Sequence, residues 1–97
     1  PMTDPITTPA QMTAEQRDLA RHALGLPNRR KRSYRNHFVT GEGSADHHHW
    51  IAMVMAGLAR RRAGSPITGG DDLFSLTKEG ATAALDKGER LDPEDFA

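Results

Sequence analysis

Met53-Val-Met-Ala-Gly-Leu-Ala-Arg-Arg-Arg62, followed by Leu73-Phe-Ser-Leu-Thr-Lys-Glu-Gly80, decides the fold of this chain. Trp50, Met53 and Val54, with Ile51 beside them, recur at helical spacing, so the first stretch opens as the end of a helix with one apolar face. Gly57 supplies the left-handed residue that stops such a helix, and Leu58 behind it makes the apolar contact that accompanies the stop. Leu58 to Arg62 then reads as a strand. Gly64-Ser-Pro66 and Gly69-Gly-Asp-Asp72 are turn formers. Leu73 to Leu76 reads as a second strand, with Leu73 or Phe74 pointing inward, and Thr77 caps a further helix. The local order is therefore helix, two-stranded ribbon, helix, with the ribbon pairing 58–62 against 73–76.

Upstream, Ser44 is the expected N-cap of the helix before the ribbon, and Asp46 suits its positive first turn; the helix is predicted over 45–56. Thr13 with Gln16 forms a capping box. Leu19, Ala20, Ala23 and Leu24 make one apolar stripe, and Gly25-Leu26-Pro27 ends it, which predicts a helix over 14–24. Between these helices, Pro27 to Asn36 is basic and aperiodic, and His37-Phe-Val-Thr40 is a short apolar island that suits a strand or an anchor. Downstream, Ala81, Ala84 and Leu85 face inward from a helix over 78–86, which Gly88 ends. The chain thus divides into a disordered polar segment over 1–12, with Pro5 and Pro9, a domain over 13–86, and an acidic tail over 87–97 in which Leu91 and Phe96 are possible tethers. Pro1 ahead of Met2 reads as a tag remnant and carries no part of the argument.

Ninety-seven residues make one small domain with a modest core, because a chain of this size buries only about two-thirds of its unfolded surface. There is no cysteine, which excludes disulfides and thiolate chemistry and suits a reducing cytosol. No apolar run reaches the length of a membrane span, and Met2 to Met12 lacks the apolar core of a signal peptide. The expected location is the cytoplasm of a host bacterial cell. Net charge is zero, yet the charges are segregated. Gln16 to Arg62 holds ten basic residues against three acids, whereas Ala63 to Ala97 holds eight acids against three bases. The basic half suits an anionic partner; the acidic half suits either screening of that surface or a basic partner.

The order of apolar helix, Ala-Gly-Leu58, basic strand, turn, Leu73-Phe-x-Leu-Thr-x-x-Gly80 and Ala-rich helix resembles the wing and following helix of small bacterial winged-helix regulators. Arg21-His-Ala-Leu-Gly-Leu26, Tyr34-Arg-Asn-His-Phe38, Trp50 and Gly69-Gly-Asp-Asp-Leu-Phe74 are together similar to a group of small phage and prophage proteins. The resemblance implies an α+β, winged-helix-like domain of about three helices and one hairpin wing, with flexible tails. One departure stands out: regulators of that kind carry three helices before the wing, and only two are legible here. The outward positions of the second fall among Asp46, His47, His48, His49 and Ala52, which is not the Arg/Asn/Gln set that reads base edges.

Arg29, Arg30, Lys31, Arg32, Tyr34 and Arg35 form one candidate surface for nucleic acid or another anionic partner, with the arginines and lysine on phosphates and Tyr34 stacking on a base. Arg60, Arg61 and Arg62 form a second on the wing strand. The plain alternative for the first is a solvated or disordered loop. His47-His48-His49 invites a metal, but consecutive helical positions point about 100° apart and cannot share one ion, so no metal is expected. Asp71-Asp72 reads as two carboxylates facing water, with no nucleophile–base pair in view, so neither an enzyme nor a cofactor is expected. The implied function is a non-enzymatic phage or prophage nucleic-acid-binding or regulatory module. The alternative is an inhibitor of a host defence nucleoprotein complex, of anti-CRISPR type, acting by protein–protein binding. Either reading allows a homodimer.

Overall fold

The computed structural model describes residues 12–96. Helix α1 spans Ala14–Leu24, the expected range. Gln16 N–H donates to Thr13 Oγ1 and Thr13 N–H to Gln16 Oε1, both at 3.1 Å, which completes the capping box. At the other end Gly25 turns left-handed, φ 81°, and the Leu26 amide reaches Arg21 O at 2.8 Å. Glycine is needed there for a second reason: a Cβ would stand 2.2 Å from Tyr34 Cε1.

Helix α2 spans His47–Met55, starting later than the sequence suggests. Ser44 does not cap it; its amide closes a turn onto Gly41 O instead, and Asp46 takes the cap position without a side-chain bond. Trp50 and Met53 are buried and Ile51 and Val54 half-buried, as the spacing implies. Gly57 ends the helix with φ 80°, and the Leu58 amide bonds Met53 O at 2.8 Å.

Three strands follow the antiparallel order β1-β3-β2, with β1 at Phe38–Thr40, β2 at Ala59–Arg62 and β3 at Asp72–Leu76. The ribbon is the one expected, shifted by a residue: Leu58 stays with the helix stop and Asp72 joins β3. The apolar island at 38–40 is the third strand, pairing Phe38 with Phe74 and Thr40 with Asp72. On the inner face Phe38, Ala59, Phe74 and Leu76 join Leu24, Trp50 and Met53 in the core, and the helices cover them. On the outer face the register aligns Val39, Leu73 and Arg62 in one row and Ser75 with Arg60 in the next.

Helix α3 spans Lys78–Ala83, shorter than the expected 78–86. Its last bonds, Ala84 N–H to Ala81 O and Leu85 N–H to Thr82 O, are of the tight i→i+3 kind, and the chain then turns at Asp86–Glu89. The Leu-Thr-x-x-Gly pattern has a packing cause. Thr77 accepts the Gly80 amide on its hydroxyl while donating that hydroxyl to Gly57 O, so one residue caps α3 and clamps the end of α2. Gly80 then rests on the backbone of Leu58, where a Cβ would lie 1.9 Å from the carbonyl oxygen. Gly80→Ala is expected to cost about 1–3 kcal/mol through forced displacement of α3 from the Leu58 backbone ahead of β2. A thermal melt superposing on wild type would show that the two are not pressed together.

The acidic segment expected as a tail over 87–97 docks against the body as far as residue 96. Leu91 and Phe96 pack against the core, as tethers should. The ion pairs that hold the segment reach back to α1 and to the basic turn. Their partners lie some 60 or more residues away in sequence, where no local pattern announces them. Met12, placed in the disordered segment, packs against the core; the rest of 1–12 lies outside the described residues. Among the described residues no helix is long and apolar enough to cross a membrane.

Candidate nucleic-acid interface

The basic stretch is an ordered turn. Asn28 organises it: its side-chain amide donates to Gly25 O and Arg32 O, at 3.0 and 2.8 Å, and its oxygen accepts from the Arg32 amide. Lys31 adopts a left-handed backbone, φ 55°, and its amide bonds Asn28 O. The C-terminal segment then stitches the turn in place. Arg90 N–H reaches Lys31 O and Ser33 N–H reaches Arg90 O, both at 3.0 Å. The buried Ser33 hydroxyl accepts from the Asp92 amide at 2.8 Å. Asn28, Arg29, Arg30, Arg32, Ser33, Tyr34 and Asp92 line a cleft of about 450 Å³ between the two segments.

The cations in this turn have different jobs. Arg29, Arg30 and Lys31 are exposed and make no ion pair among the described residues. Arg32 lies 3.4 Å from Asp92, which helps to lower the Asp92 pKa behind the larger effect of the Glu94 amide. Arg35 is committed: its Nε and Nη2 both donate to His22 O, at 3.2 and 2.7 Å, a carbonyl at the end of α1 that also accepts the Gly25 amide. Its guanidinium also sits 5.4 Å from the centre of the Tyr34 ring.

Arg60, Arg61 and Arg62 line a separate cleft of about 340 Å³ with Leu73 and Ser75. Its lining shares no residue with the cleft at the basic turn, so the two basic groups line different clefts. Strand alternation separates the three arginines. Arg60 and Arg62 lie on the outer face and make no ion pair among the described residues. Arg61 points the other way, and its Nε donates to Asp72 Oδ2 at 2.8 Å.

Asp72 is the centre of a buried network. Besides Arg61 it accepts from the Gly64 amide at 3.0 Å, and His47 Nε2 lies 2.9 Å from Oδ2. Arg61 first, then His47, hold its carboxyl down at a pKa of about 2. An ionised carboxylate only accepts, so His47 Nε2 carries the hydrogen. Asp72 therefore joins α2, β2 and the turn between β2 and β3. It does not face water as the adjacent pair of acids suggested, and His47 is a buried structural residue at the head of α2. The rings of His48 and His49 lie 4.0 Å apart between centres, tilted by 35°.

A second ion pair was not legible in the sequence. Arg21, on the buried side of α1, makes a two-pronged contact with Glu89 at 2.5 and 2.7 Å and also donates to Ala84 O. Arg17 and Asp86 pair beside it. Arg21 lowers the Glu89 pKa to about 2. These acids neutralise α1 and leave Arg29, Arg30 and Lys31 uncovered. No protein-family model, curated protein or solved structure matches the chain.

Proposed function

We propose that this domain is a winged-helix-like nucleic-acid-binding module, acting as a small non-enzymatic regulatory factor of a phage or prophage in the bacterial cytoplasm. The observation that carries the reading is the sorting of the cations. Arg17, Arg21, Arg32 and Arg61 face acids, whereas Arg29, Arg30, Lys31, Arg60 and Arg62 stand exposed without one among the described residues. A protein gains little from exposed like charges held in one turn; a polyanion gains from each of them by releasing counterions. The β2–β3 ribbon stands in chain order where the resemblance puts a wing, and Arg60 and Arg62 project from its open face. The outward residues of α2 include His48 and Ala52, which favours backbone contact over base reading.

Fluorescence anisotropy with labelled DNA and RNA at about 50 mM salt tests this. Wild type is expected to bind, with affinity falling steeply as salt rises. Replacing Arg29, Arg30 and Lys31 together by alanine is expected to leave the melting temperature within a degree or two, because solvated charges add little stability. It is also expected to flatten the log–log salt slope by about 2–3. Absence of binding to either nucleic acid at that salt rejects the module and leaves the protein-binding inhibitor as the reading to pursue.

A further inference from the structure

Tyr34 is the one residue of the basic turn whose placement asks for a ligand of a particular shape. An exposed tyrosine on a loop normally turns freely. This one is held. Its amide bonds Leu24 O at 3.1 Å. Its ring lies so close over Gly25 that a Cβ there would reach 2.2 Å from Cε1. The Arg35 guanidinium stands against the ring, itself fixed by two bonds to the end of α1. Yet 62% of the residue remains exposed. The result is an aromatic side chain held in place by protein, with more than half of the residue exposed, at the rim of a cleft that also carries Arg29, Arg30 and Arg32.

We propose that this cleft takes an unpaired nucleotide, the base stacked on Tyr34 and the adjoining phosphates held by Arg29 and Arg30, so that the turn binds single-stranded nucleic acid in preference to duplex. The inference rests on the nucleic-acid reading and narrows it. A base inside a duplex is already stacked on both faces and offers a protein only its edges and phosphates; an unpaired base offers a whole face to an aromatic ring. The cleft of about 450 Å³ falls within the size range of small-ligand sites and suits one nucleotide better than a stretch of strand. Because Tyr34 and Arg35 are already fixed, little side-chain freedom is lost on binding. Asp92, on the cleft wall, disfavours a further phosphate there and can accept from a base amino group. The wing cations Arg60 and Arg62, with no aromatic residue among their cleft partners, have no such preference for unpaired bases.

The test is anisotropy of labelled oligothymidylate, oligouridylate, an abasic strand and a duplex of the same length, at one salt concentration. Wild type is expected to bind the two base-bearing strands roughly ten-fold or more tighter than the abasic strand or the duplex, and their ratio shows whether DNA or RNA is preferred. Tyr34→Leu keeps an apolar side chain over Gly25 but removes the π-face. It is expected to lose that preference, while Tyr34→Phe keeps it and Arg60→Ala leaves it unchanged. Thermal melts of all three variants establish that each is folded. Equal binding to all four probes, or a Tyr34→Leu protein that still prefers base-bearing strands, overturns the stacking site while leaving nucleic-acid binding intact. No binding to any probe rejects the parent reading as well.

Discussion

Trp50→Ala is expected to remove about 3–5 kcal/mol of folding free energy, a large share of what a domain of this size possesses. The indole is fully buried and joins α2 to β1 and β3. It meets Phe38 at 5.3 Å between ring centres, stacks on Phe74 at 5.5 Å with planes 22° apart, and is carried on α2. Its Nε1 has no hydrogen-bond partner among the described residues. The substitution therefore strands no polar neighbour, and the loss is one of apolar contact and cavity formation. Trp50→Phe, which retains most of the volume, is expected to lose much less. Urea unfolding followed by far-ultraviolet circular dichroism measures both. A midpoint unmoved by Trp50→Ala would place the indole at the surface and make it an interface residue.

The second large effect is expected from the Arg21–Glu89 pair. Both side chains are more than nine-tenths buried, so Glu89→Ala takes the two-pronged partner from a poorly solvated guanidinium that keeps only Asp86 at 3.4 Å and Ala84 O. The expected cost is about 3 kcal/mol, the low end for a broken buried pair because α1 lies near the surface here. The pair also makes stability depend on acid. Glu89 has a folded pKa of about 2 against an ordinary 4.5, and Asp72 about 2 against 3.8. Both pKa values are depressed on folding. Their contributions are therefore complete above the ordinary carboxylate values and disappear as pH falls from about 4.5 toward 2. Wild type is expected to lose stability steeply across that window, and Glu89→Gln to lose less there, having already lost part of it at neutral pH. Equal slopes for the two proteins in urea titrations from pH 6 to pH 2.5 would remove Glu89 from the acid transition.

What the sequence disclosed and what it concealed separate by range. Thr13, Gln16 and Gly25 define α1 to the residue because capping chemistry is local. Gly57 and the Leu-Thr-x-x-Gly pattern locate the ribbon for the same reason, although the contact between Gly80 and Leu58 that makes the pattern necessary is tertiary. The island at 37–40 suits a strand or an anchor because three residues cannot display an alternation, and its pairing with β3 is tertiary. Asp72 looked solvent-facing because its partners, His47 and Arg61, come from two other elements. The docking of 86–96 was hidden for a like reason: a run of acids reads as a tail until Arg21 is known to face it. Among the candidate site residues, Arg35 and Arg61 resembled their neighbours in every local respect. Only the structure shows one bound to a helix end and the other to a buried carboxylate. The basic surroundings of Tyr34 mark it as a stacking residue; its fixing by Gly25 and Arg35 carries no sequence signal.

The seam between residues 28–33 and 90–92 bears on how the molecule comes into being. During synthesis α1 and the basic turn leave the ribosome before the segment that carries their partners Glu89, Arg90 and Asp92. β1 likewise waits for β3. Contacts of such long sequence separation form late, so a stalled or prematurely ended nascent chain presents its arginines with no Asp86, Glu89 or Asp92 to answer them. Until residues 86–92 emerge, the growing chain is an open polycation beside ribosomal RNA.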